Sequence, residues 1–78
     1  MSNRANTKQR RNWIKDFITN NAPTTVQHIT DAALKANLKA LSTDPIKAYY
    51  TVSKDTVKLR REGQVPTTSI IYRVLQDG

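Results

Sequence analysis

DPIKAYYTVSKDTVKLRREGQV, residues 44–65, carries a helix start, an amphipathic helical pattern and a helix stop in one continuous run. Asp44 is a good helix N-cap, and Pro45 suits the first helical position, where a missing N–H costs no hydrogen bond. Turning each residue about 100° from the last puts Tyr49, Val52, Thr56 and Leu59 on one side, with Gly63 in line below them. Lys47, Tyr50, Thr51, Lys54, Lys58 and Arg61 fall on the opposite side. One face reads as core and the other as a basic surface carrying one aromatic. Gly63 is placed to stop the helix in the left-handed conformation that glycine adopts cheaply. A competing reading breaks the helix near Thr51 and restarts it with Ser53 as cap and a Val52–Val57 staple; both readings keep Lys54 and Lys58 on a helix.

Upstream, Trp13, Ile14, Phe17 and Ile18 recur at helical spacing between about Thr7 and Asn20. Ala22-Pro23 ends that helix, because proline disfavours the helical region for the residue before it. Thr24 with Gln27 has capping-box spacing for a second helix striped by Val26, Ile29, Ala33 and Ala36 and widened by Leu34, Leu38 and Leu41. Thr24-Thr25-Val26 can also lend a residue or two to a sheet edge. Downstream of Gly63, Gln64-Val65 reads as a short strand, Pro66-Thr67-Thr68 as a loop, and Ser69 to Leu75 as a second, alternating strand. In that strand Ile70, Tyr72 and Val74 share one side, and Ile71, Arg73 and Leu75 the other. The expectation is an α+β chain: a flexible basic arm at 1–6, a domain at 7–75 of three helices followed by a two-stranded β-hairpin, and a tail at 76–78.

The 78 residues carry thirteen Lys and Arg against six Asp and Glu, a net charge of +7. The excess is concentrated in residues 1–21 (Arg4, Lys8, Arg10, Arg11 and Lys15 against Asp16) and 46–63 (Lys47, Lys54, Lys58, Arg60 and Arg61 against Asp55 and Glu62). So small and so basic a chain favours a polyanionic partner. With no cysteine and one histidine, His28, the sequence builds neither a thiolate zinc site nor a Cys/His pair. His28 reads as a surface residue. Gly63 and Gly78 are the only glycines, so there is no glycine-rich phosphate loop. The acids are scattered singly, which leaves a paired-carboxylate site unsupported. The reading is of a non-enzyme without cofactor or metal. The N-terminus is polar rather than signal-like and no apolar run is long enough to span a bilayer, so the expected location is cytoplasmic, on the nucleoid if DNA is bound.

AYYTVSKDTVKLRREGQV, residues 48–65, resembles the recognition-helix segment of winged helix-turn-helix regulators of the penicillinase-repressor type. The matching positions are Ala48, Tyr49, Thr51, Val52, Leu59, Gly63 and Val65, without a gap, and Tyr72-Arg73-Val74 is similar to the closing strand of the wing. Two departures stand out: the chain ends just after the wing, without the dimerisation region of those repressors, and the wing is short and lacks basic residues. The resemblance implies a DNA-binding transcriptional regulator, a repressor by analogy, with its third helix in the major groove. Lys54 and Lys58 are the first candidates for base-edge or phosphate contact, Tyr50 and Thr51 for hydroxyl contacts, and Lys47 and Arg61 for flanking phosphates. Between Gly63 and Tyr72 no residue is positive, so the wing offers phosphate only Thr67, Thr68, Ser69 and backbone amides. That moves weight onto Arg4, Lys8, Arg10 and Arg11 as an arm along the backbone or into the minor groove. The expected partners are double-stranded DNA and a second copy or a second regulatory protein, with no membrane. Two alternatives stay open: an interaction module docking its basic face on an acidic protein surface of a transcription complex, and a sequence-neutral architectural nucleic-acid binder.

Overall fold

A computed structural model of the chain describes residues 2–71, with side chains from Ala5 onward. The element order is α1 (Ser2–Asn21), β1 (Thr24–Thr25), α2 (Val26–Ala36), α3 (Pro45–Arg61), a 3-10 turn at Thr67–Ser69 and β2 (Ile70–Ile71). Three helices and a two-stranded β element, with β1 between α1 and α2 and β2 after α3, make the expected α+β class, and the arrangement is consistent with a winged helix-turn-helix fold in general. Among the described residues no helix is long and apolar enough to cross a membrane.

The core draws one stripe from each helix. Ile14 and Ile18 come from α1, Val26, Ile29 and Ala33 from α2, and Ala48, Val52 and Leu59 from α3; Val65 and Ile70 close the bottom. Trp13, Phe17 and Leu41 pack against this cluster while partly exposed. The buried hydroxyls of Thr30 and Thr56 donate to the backbone carbonyls of Val26 and Ser53, both at 2.8 Å, so neither enters the core unsatisfied.

The ends of α3 follow the sequence closely. Asp44 accepts from the Ile46 backbone N–H at 2.9 Å, and Pro45 opens the helix. At the other end Gly63 takes φ +74°, its N–H donates to the Arg60 carbonyl at 3.1 Å, and the Gln64 N–H donates to the Leu59 carbonyl at 2.9 Å. That pair of bonds is the Schellman arrangement, which satisfies two carbonyls at the helix end. No break occurs near Thr51: α3 runs uninterrupted through Ser53.

Elsewhere the structure corrects details. α1 begins at Ser2, so the stretch expected as an arm is helical. No helix breaker interrupts it, and Ala5, Lys8, Gln9 and Arg10 are good helix formers. The cap of α2 is Thr25, which accepts from the His28 N–H at 3.1 Å; Thr24 is buried in β1 and its hydroxyl meets His28 Nδ1 at 3.1 Å. Gln27 donates to Asp31 instead of reaching back to a cap. The helix ends at Asn37, itself left-handed at φ 59°, short of Leu38 and Leu41. Tyr49, expected in the core stripe, is 41% exposed, because it lies at the edge of the stripe, on the open groove it shares with Gln27 and Tyr50.

The β element has its own register. Thr24 pairs with Ile70 and Thr25 with Ile71, in parallel. Gln64-Val65 is a bend rather than a strand, because the turn at Gly63 swings Val65 into the core. Ile70 is buried and Ile71 exposed, the expected alternation. Tyr72, Arg73, Val74 and Leu75, the rest of the expected closing strand, and the 76–78 tail lie outside the described residues.

Candidate nucleic-acid interface

Burying Val52, Thr56 and Leu59 against α1 and α2 fixes the rotation of α3 and turns its other face to solvent. Lys47, Tyr50, Lys54, Lys58 and Arg61 are exposed there and Thr51 is half-buried, so the six α3 candidates share one surface. The Thr51 hydroxyl donates back to the Lys47 carbonyl at 3.1 Å, which holds it close to the helix. Lys58 pairs with Glu62 at 3.4 Å, both half-exposed, whereas Lys47, Lys54 and Arg61 make no ion pair among the described residues. Lys54, Lys58 and Arg61, with Ser53, Val57 and Glu62, line a shallow open groove along the C-terminal half of α3. The result is a row of cations on a rigid rod, with little internal neutralisation.

The N-terminal candidates separate into two sets. Arg10 and Arg11 face inward, toward a carboxylate on α3. Arg10 holds Asp55 with two prongs, Nε to Oδ2 at 2.5 Å and Nη2 to Oδ1 at 3.0 Å, and its Nη1 donates to the Ala40 carbonyl at 2.7 Å. Arg11 adds Nε to Asp55 Oδ1 at 3.2 Å. The Arg10 side chain is 11% exposed and that of Asp55 3%. A guanidinium with three directed bonds is held within the domain, so Arg10 lies against α3 instead of extending as the free arm the sequence suggests. Lys8 is exposed on α1, and the Arg4 side chain lies outside the described residues. In the wing region Thr67 and Thr68 are exposed, but Ser69 is buried with its hydroxyl on the Pro66 carbonyl, which removes it from the phosphate candidates.

Asp55 was open to detection in the sequence. It stands three residues after Val52 and four before Leu59, inside the apolar stripe, and an acid there needs a buried cation. A second feature had only a weak signal: Ile46, Tyr49 and Tyr50 are exposed together and, with Gln27 and Pro45, line a groove where α2 meets the start of α3. His28 is exposed, the surface residue the sequence leads one to expect, with its ring edge-on to Phe17 at 5.2 Å; Phe17 in turn stacks on Trp13 at 5.3 Å. Among the described residues no group of three metal-ligating side chains comes together. No protein-family model, curated protein or solved structure matches the chain.

Proposed function

We propose that this chain is a DNA-binding regulator that lays α3 in the major groove of a duplex. The architecture suits an interaction role with nucleic acid or protein, and the observation that favours nucleic acid is the row Lys47, Lys54, Lys58 and Arg61 on one exposed helical face. A helix fits the major groove, where each base pair presents its own donor and acceptor pattern, and phosphates line both rims. Lys54 and Lys58, one turn apart at the centre of the face, take the deepest positions; Lys47 and Arg61 reach the rims. Asp55, the one acid within α3, is turned to the far side and held by Arg10 and Arg11, which keeps its charge away from the anion. The role is one of occupancy rather than catalysis, with repression the simplest outcome at a promoter. Selection of bound duplexes from a random pool tests the reading. An enriched motif supports it, enrichment without a motif favours the architectural binder, and no enrichment favours the protein-docking module.

A further inference from the structure

We infer that the groove between the first turn of α2 and the start of α3 recognises A·T pairs, with Ile46 and Tyr50 against thymine methyl groups and Gln27 on adenine; this rests on the duplex-DNA reading above. Ile46 is 69% exposed, Tyr50 64% and Tyr49 41%, and all three line one groove with Pro45 and Gln27. The core uses none of these side chains fully, and clustered apolar surface of this kind marks an interaction site.

Charge selects the occupant. Lys47 lies between Ile46 and Tyr50 on α3, and Lys54 follows one turn after Tyr50. A second copy docking here would bring together two chains of net charge +7, and no acid lines the groove among the described residues to offset them. The major groove meets both demands: its rims are anionic, and its floor carries the C5-methyl group of every thymine. Gln27 adds a polar reader from α2. Its Nε2 donates to Asp31 at 3.0 Å, which leaves the amide oxygen and the second amide hydrogen for other partners. That acceptor and donor match the N6 amine and N7 of adenine, the partner of the methyl-bearing base.

Anisotropy titrations at fixed ionic strength, with a short alternating A·T duplex, the same duplex with deoxyuridine for thymine, and an alternating G·C duplex, test the inference. Deoxyuridine removes only the methyl group, and each methyl buried is worth about fourfold in affinity. The wild type is expected to bind the thymine duplex about fourfold or more tighter than the deoxyuridine one. Ile46→Ala and Tyr50→Ala should narrow that gap, and Gln27→Ala should narrow the gap between A·T and G·C. These positions are exposed, so melting temperatures should stay near wild type. Equal wild-type affinity for thymine and deoxyuridine duplexes overturns the inference and leaves the duplex reading standing. Failure to bind any of the three duplexes removes both. A wild-type dimer in sedimentation that Ile46→Ala dissociates, with no thymine preference, makes the groove a self-association face and overturns the inference as well.

Discussion

Arg10 and Asp55 are forty-five positions apart in sequence and joined by a two-pronged ion pair that ties α1 to α3. The same guanidinium reaches the Ala40 carbonyl in the α2–α3 connection, so one side chain fastens three parts of the domain. Its contribution is to orientation as much as to stability. With α3 held by Leu59 and Val52 on one flank and by Asp55 on another, the basic row faces solvent at a fixed angle.

Loss of this clasp should be costly. Arg10→Met leaves a buried carboxylate with only Arg11, and breaking a buried pair from one side typically costs about 3–5 kcal/mol. Arg11→Met should cost about 1 kcal/mol or less, because that side chain is 36% exposed. The double replacement Arg10→Met with Asp55→Leu should recover most of the loss, since matched apolar groups often do as well as a buried pair. Urea unfolding of the variants checks the order. Equal, small effects at Arg10 and Arg11 would show that the clasp does not hold the fold.

Two further changes probe the third helix. Leu59, 3% exposed, sits at the centre of the core, and Leu59→Asp should leave the domain unfolded. Gly63 has φ +74° and nothing within 4 Å of where a Cβ would stand, so a substitution there meets backbone strain without a clash. Gly63→Val should cost about 1–2 kcal/mol, and Gly63→Asn clearly less, because Asn tolerates the left-handed region. Melting temperatures of the two Gly63 variants decide the point; identical losses would mean that the left-handed turn is not the cause.

How far the sequence foretells this arrangement differs by element. Asp44, Pro45 and Gly63 are local signals whose chemistry acts within a few residues, and α3 begins and ends where they direct. The basic face of α3 is legible for the same reason, since its rotation follows from Val52, Thr56 and Leu59 alone. The role of Arg10 and Arg11 is not, because a cation near the N-terminus reads as a solvated arm until Asp55 is brought to it by packing. Thr24–Thr25 is legible as a sheet edge, but its partner is not, because the pairing is non-local and only the closed core sets Ile70 beside Thr24. The cap of α2 is missed by one residue because Thr24 and Thr25 are chemically equivalent caps until one of them is buried.

Salt dependence should reflect the two arginines that Asp55 holds. With Arg10 and Arg11 committed to Asp55, the α3 row supplies four cations, Lys47, Lys54, Lys58 and Arg61. Each neutralised phosphate contributes about −0.9 to the slope of log affinity against log salt, for roughly −3.6 from this face. Duplex titrations across a salt series give the slope. Affinity that does not change between dilute and physiological buffer would exclude a phosphate-binding role for the row.

Glu62 restrains Lys58 at 3.4 Å and adds a negative charge at the rim of the same groove. Glu62→Gln should therefore tighten duplex binding by about two- to fivefold, the equivalent of an exposed pair worth up to about 1 kcal/mol. Tighter binding should come without a change in melting temperature. Weaker binding would place Glu62 among the contacts instead.

Whether the exposed face of α3 reads a duplex is decided by comparing wild type with Lys54→Ala and Lys58→Ala on one selected and one scrambled duplex at fixed ionic strength. Base reading predicts that at least one of the variants loses about 1–3 kcal/mol on the selected duplex, with a much smaller loss on the scrambled one, while folding stability stays within about 0.5 kcal/mol of wild type. Equal losses on both duplexes, or wild-type affinity in both variants, would contradict it.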